Sequence, residues 1–335
     1  MIVTLTANPS FDRTIALSSA LERGGVLRAD SVLEQAGGKG VNISRVATLA
    51  GVPSVAVFPA AADSPFTAEL ESQGITCRPV TPTGPIRVNL TLTEPDGTTT
   101  KINSSGSDAD EHLLQRLRDA LGRAASTASW VVLAGSLPPG TPEEWYAEVA
   151  AALADSPASV AVDTSERPLL ALAERLPTTR PAVLKPNAGE LCMITGDDPA
   201  TVEGDPLAAA TAARRLVADG AGAVLVTLGG AGAVLVDRES AWHATPPPVD
   251  VVSTVGAGDS SLFGYVLGDL RGLDPADRLR LAVAYGTAAA GLPGTTMPSP
   301  RQTRPDAVAV TPLPLEPLPT PDPGRAAADV ATPTA

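Results

Sequence analysis

An α/β fold is predicted, with a mostly parallel central sheet covered by helices on both faces and a small β-sheet lid beside it. Three observations carry this. Short runs of Val, Ala and Leu recur, each closing on Gly, Pro, Asn or Asp, as strands buried on both faces do. Helical patterns lie between most of these runs, and that alternation implies right-handed crossovers and a parallel sheet. Two segments, Arg13 to Gln35 and Ile86 to Ser104, alternate Thr, Val, Leu and Arg with no helix between, which is the pattern of a half-exposed sheet.

Taken in order, the strands are read at Ile2 to Thr6, Val55 to Phe58, Trp130 to Ala134, Val160 to Val162, Ala182 to Leu184, Ala223 to Thr227 and Ala233 to Val236. Helices are read at Asn42 to Leu49, Asp110 to Ala125, Pro142 to Leu153 and Pro206 to Asp219. Inside the second alternating segment, Pro95-Asp96-Gly97 supplies a hairpin turn between Ile86 to Thr93 and Thr98 to Asn103. Gly229-Gly-Ala-Gly232 reads as a second hairpin turn, one that also passes close to a ligand. After about Ala307 proline, alanine and threonine take over, too little apolar surface to offset the entropy of ordering. The expected organisation is one domain over 1–308, its lid drawn from about 13–35 and 86–104, and a disordered tail over 309–335.

Composition narrows the function. With 37 acidic against 24 basic side chains the net charge is -13, the wrong sign for gripping nucleic acid or an anionic membrane. Cys77 and Cys192 lie far apart in sequence, and His112 and His243 sit near neither, so no metal-ligand spacing or disulfide framework exists. That suits a cytoplasmic protein. No apolar run is long enough to span a bilayer. No Gly-x-Ser-x-Gly elbow occurs, so a serine hydrolase is unsupported. Only three lysines occur, Lys39, Lys101 and Lys185, against many arginines, which suggests that a retained lysine marks a need for a compact point charge.

Four motifs follow strand ends, where ligands bind in open α/β sheets. In Val252-Ser-Thr-Val-Gly-Ala-Gly-Asp259, a Gly-Ala-Gly turn opening a helix turns backbone N–H groups onto an anion, and Asp259 is either a proton acceptor or simply the helix N-cap. It lacks the third glycine of a dinucleotide fingerprint, which would fall at Ser261. Ala36-Gly-Gly-Lys-Gly-Val-Asn42 is not a Walker loop, because Gly40 follows the lysine. It reads as an anion or hydroxyl site, or as a flexible turn with a solvated lysine. In Leu184-Lys-Pro-Asn-Ala-Gly-Glu190, Asn187 and Glu190 have capping-box spacing and are also suited to organising a nucleotide's Mg²⁺. Asn8-Pro-Ser-Phe-Asp12 puts an acid after a strand, to cap a turn or to orient a hydroxyl.

In this order, and with Leu133-Ala-Gly-Ser-Leu-Pro-Pro-Gly140 between them, the motifs resemble the PfkB or ribokinase-like carbohydrate kinase family across about residues 1 to 305. The resemblance implies a three-layer ribokinase-like fold, ATP and Mg²⁺ as cofactors, a sugar phosphate substrate, and a lid that forms a homodimer contact. By the same resemblance Asp259 is the general base, and Gly256, Ala257 and Gly258 are the anion hole. Asp12, Gly38 and Asn42 would hold sugar hydroxyls. Lys39, Arg87 and Ser136, with Arg28 as a helper, would hold the phosphate already on the substrate. Lys185, Asn187, Thr227, Gly229 and Gly232 would line the nucleotide cleft, and Glu190 would act on Mg²⁺ through water. The Val249 to Ser260 form of the signature is similar to that of members acting on D-fructose 1-phosphate at its 6-hydroxyl, with tagatose 6-phosphate or fructose 6-phosphate as the alternative. A sugar phosphate binding module without catalysis is the alternative from another class. Two departures from the pattern are Leu262-Phe263 after the acid, which either pack the helix or trim the ATP cleft, and Ala188-Gly189 in place of a more acidic pair.

Overall fold

The computed structural model describes residues 1–318 of the 335. The chain runs β1 (Ile2–Leu5), β2 (Ser10–Leu17), β3 (Ala29–Gly37), α1 (Lys39–Leu49), β4 (Ser54–Pro59), α2 (Pro65–Ser72), β5 (Thr76–Val80), β6 (Arg87–Thr93) and β7 (Thr99–Ile102). It continues through α3 (Glu111–Ala125), β8 (Trp130–Ala134), α4 (Trp145–Ala152), β9 (Ser159–Asp163), α5 (Glu166–Glu174), α6 (Leu176–Thr179), β10 (Val183–Leu184), α7 (Ala188–Thr195), α8 (Pro199–Gly204) and α9 (Pro206–Ala218). The last elements are β11 (Ala223–Thr227), β12 (Ala233–Asp237), β13 (Ala241–Thr245), α10 (Ala257–Leu270), α11 (Pro275–Ala290) and β14 (Ala309–Pro312).

Ten strands form one sheet in the order β14-β13-β12-β11-β10-β9-β8-β1-β4-β5. From β5 to β11 neighbours are parallel, and β12, β13 and β14 extend the edge antiparallel. The period-2 alternation of strands sorts side chains between two cores. Val131 and Leu133 of β8 join one cluster with α3, α4 and α9, whereas Trp130 and Val132 join the other with α1, α10 and α11. The result is three layers, helix on sheet on helix, as expected.

The lid is the separate sheet β3-β2-β6-β7. Its hairpin forms where predicted, with Glu94 N–H donating to Thr98 O at 2.9 Å and Gly97 turning at φ 90°. At its foot Phe11 packs edge-on against Phe66 of α2, ring centroids 5.4 Å apart, and Phe66 in turn against Phe58. This aromatic contact roots the lid beside the carboxyl ends of β1 and β4.

The folded domain does not end at 308. β14 pairs with β13 from Trp242↔Pro312 to Thr245↔Ala309, Leu313 N–H donates to Ala241 O, and Leu313, Leu315 and Leu318 pack on the core. Pro312 is tolerated because β14 is an edge strand. The rest of the expected tail lies outside the described residues. Leu262 and Phe263 are fully buried in the α10–α11 core, so they pack the helix. Both cysteines are free, and no helix among the described residues is long and apolar enough to cross a membrane.

Candidate active site

β1 sits between β4 and β8, so the strand order reverses there and a crevice opens at the carboxyl ends of the strands. A cleft of about 1610 Å³ occupies that crevice. Single small-molecule pockets run to about 1,000 Å³, so it has room for two ligands. Sixteen residues singled out in the sequence, from Asp12 to Asp259, line it together. Arg28 does not; it lies on the exposed part of the lid.

Asp259 is not the N-cap of α10. Gly256 holds that position at φ 77°, where a Cβ would meet Met297 at 2.3 Å, and no side chain caps the helix. Asp259 stands in the first turn, buried, with Oδ2 accepting from Asn42 Nδ2 at 2.8 Å. Burial, and then the neighbouring Asp163, raise its pKa to about 6, against the opposing pull of Lys39, the Asn42 bond and Lys185. The amides of Gly256, Ala257 and Gly258 open the same helix and line the cleft, where α10 makes no intrahelical use of its first N–H groups. A carboxylate with its pKa raised to about 6 and the start of α10 therefore share one wall.

The lid side of the cleft is polar. Asp12 Oδ1 accepts from Ser10 Oγ at 2.8 Å and from Asn89 Nδ2 at 3.1 Å. Gly37 lets this carboxylate in, since a Cβ there would fall 2.2 Å from Asp12 Oδ2. Arg87 Nη2 donates to Asn8 O at 3.1 Å and to Ser136 Oγ at 3.4 Å, so the predicted pair meets, while Arg87 Nε is buried with no partner. Asn42 differs from its expected role. Its Oδ1 accepts from Arg45 and its Nδ2 serves Asp259, so its amide is largely committed to protein.

Asp163, at the end of β9, was not singled out in the sequence. Its side chain is fully buried, with Oδ1 2.6 Å from Lys39 Nζ and Oδ2 3.1 Å from Lys185 Nζ. Burial pushes its carboxyl up, but Lys185 and Lys39 outweigh that and hold it below the ordinary range. Burial likewise works against the Lys39 ammonium, and Asp163 and Asp259 reverse the sign to a raised pKa. Two of the chain's three lysines thus converge on one buried acid.

On the far wall, Asn187 and Glu190 form the capping box of α7, with bonds of 2.8 and 2.9 Å. Thr227 bridges Asn187 across the strand ends. Gly229 turns at φ 54°. Gly232 is needed by the fold itself, because a Cβ there would meet Ala244 O at 1.9 Å. No cluster of three or more Asp, Glu, His or Cys suited to a metal exists among the described residues.

A ligand crevice at parallel strand ends, walled by a glycine-opened helix, a buried carboxylate and two lysines, defines a phosphotransferase of ribokinase-like fold. A family model for pfkB family carbohydrate kinases matches residues 5–302, and the chain belongs to that family. It is 36% identical over 286 residues to a 1-phosphofructokinase of Xanthomonas campestris pv. campestris, covering 84% of this chain and 88% of that one. It is 34% identical over 326 residues to a 1-phosphofructokinase of Rhodobacter capsulatus, covering 95% and 99%. Among solved structures, phosphofructokinase-2 from Escherichia coli in complex with substrates and products superposes with a TM-score of 0.81 at 29% identity, over 90% of this chain and 96% of that one. The chain is a carbohydrate kinase, and the non-catalytic binding module is set aside.

Proposed function

We propose that this kinase transfers the γ-phosphoryl group of ATP to the 6-hydroxyl of D-fructose 1-phosphate, giving fructose 1,6-bisphosphate and ADP. The observation that carries it is Asp259, a buried carboxylate with its pKa raised to about 6 at the opening of α10. Asn42 occupies Oδ2, which leaves Oδ1 for the attacking hydroxyl. As the hydroxyl oxygen bonds to the γ-phosphorus, its proton passes to Asp259 and the bond to the β-phosphate oxygen breaks, releasing ADP. The helix-opening amides of Gly256, Ala257 and Gly258 stabilise the equatorial oxygens during transfer.

Asp12, with Ser10 and Asn89 fixing it, orients sugar hydroxyls. Arg87 and Ser136, which meet in the cleft, take the substrate's own phosphate. Lys39 adds charge from the facing helix. Lys185, whose ammonium comes 3.3 Å from the place a Cβ would take on Gly258, sits beside the anion hole and on the donor side. Mg²⁺ supplies charge neutralisation on the nucleotide's phosphates when bound. Glu190, with Oε2 tied into its capping box, has Oε1 for an ion held through water. The 1-phosphofructokinase activity of the relatives supports the choice of ketose phosphate.

We also infer a homodimer through the lid, which leaves Val32, Leu33 and Ile102 exposed on its strands and Val26 exposed in the β2–β3 connection. Sedimentation at two protein concentrations tests it. The substrate is tested by ADP release with ATP and Mg²⁺ against equal concentrations of fructose 1-phosphate, fructose 6-phosphate and tagatose 6-phosphate. Highest kcat/KM for fructose 1-phosphate supports the proposal. Preference for a 6-phosphate would keep the machinery and reverse the sugar in the cleft.

A further inference from the structure

Arg45 is a buried arginine, 8% exposed, that lines no part of the cleft. It lies one helical turn beyond Asn42 on α1. Its Nη1 donates to Asn42 Oδ1 at 3.0 Å, its Nη2 to Ala36 O at 2.6 Å and its Nε to Gln73 Oε1 at 2.7 Å. Ala36 is the penultimate residue of lid strand β3, and its N–H is in turn held by Glu69 of α2 at 2.9 and 3.0 Å. One planar cation therefore spans three acceptors on three elements.

The chemistry of these groups fixes a direction. A guanidinium only donates and an ionised carboxylate only accepts, whereas a primary amide does both. Between Arg45 and Asp259, Asn42 has one orientation that bonds at both ends: oxygen toward Arg45, nitrogen toward Asp259. Reversal would lose both bonds and set donor against donor and acceptor against acceptor.

We propose that Arg45 is a positioning residue for the phosphoryl transfer: it locks the amide of Asn42 so that its NH₂ group holds Asp259, and it ties that base to the foot of the lid through the Ala36 carbonyl. The inference rests on the reading of Asp259 as the general base. Arg45 touches no reacting atom; it acts through Asn42. The groups facing Asp259 are Lys39 and Asn42 from α1, Asp163 from β9 and Lys185 after β10, and of these Asn42 alone depends on Arg45 for its orientation. Those facing Arg45 are Glu69 of α2, Gln73 at that helix's C-cap and Asp12 of the lid.

The test is a double-mutant cycle of Arg45→Gln with Asn42→Ala, read as kcat against pH with KM for both substrates. Arg45→Gln should lower kcat about tenfold, the scale of one hydrogen bond to a charged group, with smaller changes in either KM. Its acid limb should move to higher pH, because a bond that favoured ionised Asp259 is lost. In the Asn42→Ala background the same substitution should add little. An unmoved acid limb, or effects that multiply in full, would overturn the proposal. Should Arg45→Gln fail to fold, Arg45→Lys keeps the charge but not the three-way fork; a shifted limb in that variant supports the role, and a lowered Tm with an unmoved limb overturns it. The base assignment is read separately, since Asp259→Asn must lower kcat at least about 100-fold whatever Arg45 variants do.

Discussion

Lys39 and Lys185, far apart in sequence, are held by the two oxygens of a single buried carboxylate, Asp163. One lysine opens α1 and the other follows β10, so this acid joins two walls of the cleft. Removing its charge should strand two cations. Breaking a buried pair from one side costs about 3–5 kcal/mol, and the low end applies because Lys39 keeps 35% of its side chain in solvent. Asp163→Asn should therefore melt lower than wild type at neutral pH. Because the folded-state pKa of Asp163 is depressed, that difference is full above the ordinary carboxylate value of 3.8 and shrinks as pH falls below it. Thermal melts across pH check both parts.

With Asp259 as the proposed base, the pH dependence of catalysis follows from its ionisation. A base works only when ionised, and burial with Asp163 nearby lifts its pKa to about 6. kcat/KM for the sugar phosphate should fall about tenfold per pH unit below 6. Asp163→Asn, which removes the neighbouring negative charge, should move that limb to lower pH.

Gly37→Ala should act on the sugar and not on the nucleotide. The new methyl group would press on the Asp12 carboxylate, which Ser10 and Asn89 hold in place. KM for the sugar phosphate should rise at least about tenfold, the scale of a displaced charge-assisted hydrogen bond, with KM for ATP little changed. Two-substrate kinetics separate the two.

A chain ended at Val310 loses half of β14 and the contacts of Leu313, Leu315 and Leu318 with the core. Its Tm should drop by several degrees, on the order of 2–4 °C per kcal/mol for a domain of this size. An unchanged melt would show that the edge strand contributes nothing.

Much of the site was legible because its motifs are local. Gly37 to Asn42 runs from lid strand β3 into α1, Lys185 to Glu190 runs from parallel strand β10 into α7, and Gly256 to Asp259 opens α10, and residues of all three line one cleft. What escaped was set by contacts across the chain. Asp163 is one acid at the end of a short apolar run, with nothing local to mark it. Arg45 looks like any helix arginine until α1 packs beside α10 and the Asn42–Asp259 bond closes over 217 residues. The lysine count did carry a signal, since both lysines paired with Asp163 belong to the scarce three. Among the strands, β5 hid behind Arg78 and Pro79, and β14 behind its proline-rich surroundings, because edge strands need no continuous apolar run.

Asp259→Asn tests the central claim most directly, with turnover, substrate binding and stability measured on one variant. The account predicts kcat lowered at least about 100-fold, the usual scale for a positioned base, with the dissociation constant for fructose 1-phosphate nearly unchanged. It also predicts a higher Tm than wild type above pH 6, where the buried charge is a burden, and a gain that vanishes below about 4, where Asp259 is protonated in both folded and unfolded chains. Turnover within a few-fold of wild type would contradict the account.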